Sequence, residues 1–229
     1  MNYRLKNLSP IYKRLKMMLC HLRWNNQEDI TKITDELRSG SAVVGTSDTV
    51  LGLFADVTYE GFLRLNTLKG RFEKPYLVLL KSQQHITAFV DEIYLFQIEN
   101  ILSRCWPGPL TIVVPAKTTV PDYMKSKEGT IAIRVPRHAG LQMLLSHFPG
   151  IFSTSANKAG EPIPSSVDQL DVFIAQGVSY YISDEVVNNT LIPSTIIQWS
   201  PQGFVLIRAG AYEVTELERL MQQRIMRPD

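Results

Sequence analysis

The chain has little cysteine, little histidine and almost no excess of charge. Only Cys20 and Cys105 occur in 229 residues, and two isolated thiols make no disulfide framework, which points to a reducing cytosol. His21, His85, His138 and His147 are scattered and share no ligand spacing with the cysteines, so no zinc site is written here. A formal charge of +2 is too small to imply nucleic-acid binding by the whole chain. No apolar run is long enough to span a membrane. Residues 1–24 have neither the continuous apolar core nor the small-residue cleavage site of a signal peptide. The patterns Gly-x-x-x-x-Gly-Lys-Ser/Thr, Gly-x-Gly-x-x-Gly after a strand and Gly-x-Ser-x-Gly are all absent, which removes the common nucleotide loops and the hydrolase elbow.

What is there is the material of one α/β domain. A hydrophobic share of 45% against 20% charged excludes a mostly disordered chain. The small charge is unevenly placed: Arg4, Lys6, Lys13, Arg14, Lys16 and Arg23 all precede the first acidic residue, Glu28. We therefore set residues 1–26 apart as a basic extension, with an amphipathic helix around Tyr12–Arg23 as one reading of it, and take 27–229 as the domain.

Periodicity orders that domain. Ile30, Ile33 and Leu37 recur at helical spacing over Gln27–Ser39, with Gly40 as the stop, and Ser41–Gly45 reads as a buried strand. Thr58–Lys69 reads as a helix and Tyr76–Leu80 as a strand. Gln83–Arg104 is helical with a break near Asp91. Ile112–Pro115 and Thr130–Val135 are strands, separated by a polar stretch, Lys117–Gly129, that reads as a mobile loop. His138–His147 is a helix; Ser179–Ile182, Ser194–Trp199 and Phe204–Ile207 are strands; Glu213–Arg227 closes the chain as an amphipathic helix. Trp106 in Trp106-Pro-Gly-Pro-Leu-Thr111 reads as a core anchor.

The stretch that organises the chain is Ile151-Phe-Ser-Thr-Ser-Ala-Asn157. It starts as a buried strand and turns within five residues into compact donors and acceptors, then enters a loop marked by Gly160, Pro162 and Pro164. Strand ends are where open α/β sheets bind ligands, although a plain capping or turn cluster has the same composition. Thr46-Ser-Asp-Thr-Val-Leu-Gly52 repeats the theme, with the same two readings. Lys69-Gly-Arg71 at a helix end is either a charged C-terminus or a pair of cations aimed at phosphate. Arg134 lies inside an apolar strand and needs a partner, a protein carboxylate or an anionic substrate, because burying it unpaired is costly. An enzyme built from Lys69, Arg71, Arg134, Arg208, Ser47, Ser155, Asn157 and Ser194 would position anions and neutralise their charge. It has no obvious general base.

Taken together, these motifs resemble the YrdC/Sua5 family of threonylcarbamoyl-AMP synthases. The likeness runs from about Ile30 to the C-terminal helix through Lys69-x-Arg71, Trp106-Pro-Gly-Pro-Leu-Thr, Ala132-Ile-Arg134-Val-Pro136-x-His138, Ser153-x-Ser155-Ala-Asn157, Ser194-Thr-Ile and Arg208-x-Gly210. The resemblance implies a single-domain twisted mixed sheet with flanking helices and a concave basic face, of the short type without a further C-terminal domain. It implies formation of threonylcarbamoyl-adenylate and pyrophosphate from L-threonine, bicarbonate and ATP with Mg²⁺, and delivery of the product to a tRNA threonylcarbamoyl transferase. Lys69 and Arg71 would be catalytic and, with Arg208, neutralise the ATP phosphates; Thr130, Asn157 and Ser165 would hold the nucleotide. Arg134 would pair with the threonine carboxylate, with Ser47, Ser155 and Ser194 beside it. The family usually carries Pro-Thr-Glu-Thr-x-Tyr-Gly-Leu where this chain has Thr46-Ser-Asp-Thr-Val-Leu-Gly-Leu53, and a proline where it has Phe72. These departures are expected on the threonine-side wall and in the phosphate loop. Two other readings accompany the synthase: a non-catalytic relative binding double-stranded RNA or tRNA through the basic face, and an adenylate-forming activity on another amino acid or on carbamoyl phosphate.

Overall fold

The computed structural model describes residues 19–71, 74–184 and 191–227. Ten strands form one mixed sheet: β1 (Cys20–Arg23), β2 (Ala42–Gly45), β3 (Gly52–Asp56), β4 (Leu77–Leu79), β5 (Leu110–Pro115), β6 (Thr130–Arg134), β7 (Ile151–Ser155), β8 (Tyr180–Ser183), β9 (Thr195–Ser200) and β10 (Gly203–Arg208). Their order across the sheet is β1-β8-β2-β3-β7-β4-β6-β5-β9-β10. The pairs β1/β8, β2/β8, β4/β6 and β5/β9 are parallel and the remaining neighbours antiparallel.

Among the described residues six α-helices cover it: α1 (Gln27–Arg38), α2 (Tyr59–Lys69), α3 (Glu92–Cys105), α4 (Ala139–Leu144), α5 (Val172–Gln176) and α6 (Val214–Met221). Local signals set their ends. Asn26 caps α1 by accepting from the amides of Glu28 and Asp29, and Gly40 follows in the left-handed region at φ 82°. Thr58 caps α2 through the amide of Gly61, and Gly70 ends it at φ 61°.

The two faces of the sheet are not covered equally, and this creates the site. On one face Leu65 and Leu68 of α2, Ile98, Ile101 and Leu102 of α3, Ile174 of α5 and Leu217 of α6 join Leu53, Phe152, Ile133, Ile112 and Ile197 in a core that runs the width of the sheet. On the other face Ile30, Ile33 and Leu37 of α1 and Leu141 and Leu144 of α4 pack on Val43, Phe54, Leu79, Ile151 and Ile182. They cover only the half from β1 to β4. Beyond that line the same face carries Ala132, Arg134, Thr111 and Ile196, which border an open cavity.

Several expectations change. The domain does not begin at Gln27: β1 pairs with β8, Leu22 and Trp24 are buried, and the Trp24 indole donates to Thr46 Oγ1 at 3.0 Å. The part of Tyr12–Arg23 from Leu19 onward thus includes a strand; the earlier residues of the basic extension, and Phe72, lie outside the described residues. The closing helix is shorter than Glu213–Arg227. Gln222 adopts φ 54°, and the chain turns back so that Met226 exchanges hydrogen bonds with Phe204 and Leu206 of β10. Ladder bonds to a sheet edge outweigh a helix that would leave that edge bare. The polar Lys117–Gly129 is a packed segment, with Val120 and Met124 buried and the Tyr123 hydroxyl donating to the Val57 carbonyl at 3.0 Å. The break near Asp91 is present: a 3₁₀ turn over Gln83–Ala88 precedes α3.

Candidate active site

Four turns and one strand converge on a cavity of about 790 Å³, within the range of small-molecule sites. The first is the end of α2. The left-handed Gly70 lets the Arg71 amide reach back to the Asn66 carbonyl at 3.2 Å, and Lys69 and Arg71 both line the cavity. Lys69 is only 2% exposed. Its Nζ donates to the Ser155 carbonyl at 2.7 Å and to Asn157 Oδ1 at 3.1 Å, and also to the Asn157 carbonyl. One ammonium therefore ties the end of α2 to the end of β7. Burial, with repulsion from Arg71 second, pulls its pKa down to about 8. The Arg71 guanidinium lies 4.9 Å from the Tyr76 ring centre, and its buried Nε has no hydrogen-bond partner among the described residues.

The second turn joins β2 to β3. Ser47 Oγ accepts from the Thr49 amide at 3.1 Å and donates to the Val50 carbonyl at 2.8 Å, a hydroxyl-closed turn. Asp48 accepts from the Arg137 amide at 2.9 Å and sets its other oxygen 3.3 Å from Arg134 Nη1. Arg134, at the end of β6, is 2% exposed and also reaches Thr49 Oγ1 at 3.4 Å. Its Nε is unpartnered among the described residues. Burial pushes Arg134 below its ordinary range and Asp48 opposes that shift. So the strand arginine has a protein carboxylate beside it and still holds a free donor.

The third turn is the end of β7, where Ser155 donates to Asn157 Oδ1 and the Asn157 amide group donates to the Glu161 carbonyl. The fourth joins the start of β9 to the end of β10. Arg208 Nε and Nη2 donate to the Ser194 carbonyl at 3.1 and 2.8 Å, and Nη2 reaches Ser194 Oγ at 3.2 Å. Burial lowers the Arg208 pKa first, repulsion from Arg134 second. Lys69, Arg134 and Arg208 are thus each destabilised as cations by burial. An arriving anion would relieve all three.

Eight of the ten sequence candidates line this cavity: Ser47, Lys69, Arg71, Arg134, Ser155, Asn157, Ser194 and Arg208. Thr130 and Ser165 do not. Thr130 begins β6, on the same face as Ala132 and Arg134, and its hydroxyl pairs with Ser126 at 2.8 Å. Ser165 bonds Gln169 Oε1 through both amide and hydroxyl at 2.9 Å. Thr49, Lys74, Thr111 and Ser153 line the cavity as well. Thr49 and Ser153 belong to the two polar strand-end stretches and Thr111 to the Trp106-Pro-Gly-Pro-Leu-Thr111 motif, whereas nothing in the sequence marked Lys74. Leu51, expected on the threonine-side wall, is instead buried in the core on the opposite face of the sheet, so that departure does not touch the cavity. Trp106 is the core anchor it reads as, with its indole donating to the Leu110 carbonyl at 2.7 Å.

The Sua5/YciO/YrdC family, described as "Telomere recombination", matches residues 35–210. The chain belongs to that family. It is 33% identical over 155 residues to a threonylcarbamoyl-AMP synthase of Vibrio cholerae, covering 66% of this chain and 81% of that protein. It is 31% identical over 201 residues to the threonylcarbamoyl-AMP synthase of Pyrococcus abyssi, covering 84% of this chain and 57% of that one. The crystal structure of P. abyssi Sua5 complexed with L-threonine superimposes with a TM-score of 0.78 at 27% identity, over 91% of this chain and 62% of that chain. This chain therefore spans less than two thirds of the length of the P. abyssi relative. No described helix is long and apolar enough to cross a membrane.

Proposed function

We propose that the chain is an L-threonylcarbamoyladenylate synthase, a nucleotidyltransferase using L-threonine, bicarbonate and ATP. The observation that carries this reading is the convergence of Lys69, Arg71, Arg134 and Arg208 on one cavity in a chain of this family. Two anions that must react repel each other, and fixed cations in a partly desolvated hollow offset that repulsion without reorganising.

Arg134, with its free Nε, takes the threonine carboxylate, and Ser47, Ser155 and Ser194 stand beside it. Arg71, Lys69 and Arg208 face the triphosphate, with Asn157 at the nucleotide; Thr130 and Ser165, which do not line the cavity, would hold the nucleotide only where it extends beyond it. The threonine amine attacks the bicarbonate carbon, and water leaves to give a carbamate. A carbamate oxygen then attacks the α-phosphorus, the bond to the bridging oxygen breaks, and pyrophosphate departs. The protein's share is orientation and charge: the carboxylate fork fixes the amino acid, and the cations hold the leaving pyrophosphate. Among the described residues no group of three or more His, Cys, Asp or Glu could hold a metal ion. A wall of cations and hydroxyls suits a Mg²⁺ that arrives on ATP, held by phosphate and water, and such an ion would further neutralise the triphosphate. The product would pass to a tRNA threonylcarbamoyl transferase, and the reaction would run in the cytoplasm.

The test is product mass with ¹³C-bicarbonate. The reading predicts an adenylate carrying threonine and one ¹³C; a threonyl-adenylate without the label would refute it.

A further inference from the structure

We propose that Thr111 sets the polarity of Ser194, so that Ser194 meets its ligand only as a hydrogen-bond donor to a carboxylate or carbamate oxygen. The identity of that ligand rests on the function proposed above; the polarity rests on hydroxyl geometry. In the parallel register of β5 and β9, Thr111 lies opposite Ile196, and the Thr195 amide donates to the Pro109 carbonyl at 3.0 Å. This brings the two hydroxyls together, with Thr111 Oγ1 2.8 Å from Ser194 Oγ. Arg208 Nη2 approaches the same serine oxygen at 3.2 Å.

A hydroxyl has one proton and two acceptor lone pairs. A guanidinium can only donate, so Arg208 fills one lone pair of Ser194. Thr111 is 1% exposed, and Ser194 is the partner its hydroxyl has among the described residues. Thr111 and Ser194 both border the cavity, but at 1% against 4% exposure the threonine has the less open surface. Were Ser194 to donate to Thr111, the more buried of the two protons would be left without a protein acceptor among the described residues, the costlier arrangement. Thr111 therefore donates and fills the second lone pair. The proton of Ser194 is left for the cavity that Ser194 lines. A ligand ammonium or hydroxyl proton finds no acceptor at this atom, whereas an anionic oxygen finds a donor that is already oriented. Thr111 is in this sense a positioning residue acting through Ser194.

The test is steady-state kinetics of pyrophosphate release by Thr111→Val, Thr111→Ser and Ser194→Ala, each checked by thermal melting. Thr111→Val is expected to raise KM for L-threonine about fivefold to tenfold, the loss of one oriented hydrogen bond. Its kcat should stay within about twofold and its KM for ATP should not move. Thr111→Ser should restore the wild-type value, and Thr111→Val should add nothing in a Ser194→Ala background. A threonine KM within about twofold of wild type, or an equal effect with and without Ser194, overturns the inference. Should the valine variant not fold, Thr111→Cys, a weak donor, is expected to raise the same KM at least about threefold, and an unchanged value overturns it too. A wild-type protein without threonine-dependent release would sink the proposed function; an active wild type with an indifferent Thr111 sinks only this inference.

Discussion

Arg134 shows how much a single side chain can reveal. A cation inside Thr130-Ile-Ala-Ile-Arg134 demands a partner, and that demand is legible in the sequence. Which partner is not legible, because Asp48 comes from a distant turn and is placed only by the sheet. Arg134→Lys keeps the charge against Asp48 but loses the planar fork. We expect kcat/KM for the amino acid to fall by about 10- to 100-fold with the melting temperature nearly unchanged. An unaltered kcat/KM would mean that the free Nε is not used. Lys69 makes a second prediction. Its folded pKa of about 8 lies below the ordinary 10.5, so the unfolded chain holds that proton more tightly. Its burial penalty is present in full below pH 8, and stability rises as pH goes from 8 towards 10.5. A phosphate near Lys69 acts in the opposite direction and restores the proton. Nucleotide binding near pH 8, measured calorimetrically in buffers of different ionisation enthalpy, should therefore take up protons, and Lys69→Met should abolish the uptake. Binding with no net proton change would contradict this.

Elements with strong local signals, such as α1 with Ile30, Ile33 and Leu37 at helical spacing and its Gly40 stop, emerge from the sequence nearly to the residue. Those decided by tertiary pairing do not. Residues 222–226 have the composition of a helix end, yet they turn back to the edge of β10. Val120 and Met124 lie in a polar stretch that looks mobile until Tyr123 is seen to reach across to Val57. The seating of α2 offers a test at this scale. A Cβ on Gly61 would lie 2.2 Å from the Asp56 carbonyl oxygen, so the first turn of the helix sits directly on the end of β3. Alanine normally favours a helix by about 1 kcal/mol over glycine. Here Gly61→Ala should destabilise by about 1–3 kcal/mol, lowering the melting temperature by several degrees. A melting temperature equal to or above wild type would show that the helix shifts at no cost.

For the molecule as a whole, the decisive feature is that α1 and α4 cover only half of one sheet face. That is invisible in the sequence, since each strand reads alike whether its far neighbour is covered or bare. The family resemblance implied a concave site, and eight of the ten residues it singles out line one cavity. The other long-range surprise is the start of the domain. A chain beginning at Gln27 would lose β1 and the buried Trp24, and we expect it to melt well below the full chain or to aggregate through the bared edge of β8. Equal melting curves would show that β1 adds nothing.

The central claim is that four cations, two from the end of α2 and one each from β6 and β10, serve one reaction between two anions. Pyrophosphate release by the wild-type chain and by alanine variants at Lys69, Arg71, Arg134 and Arg208, with threonine, bicarbonate and ATP each omitted in turn, tests it most directly. The account predicts release that needs all three substrates and falls by about 10²-fold or more in each variant. Release that persists without threonine or bicarbonate, or that is unchanged in any of the four, would contradict it.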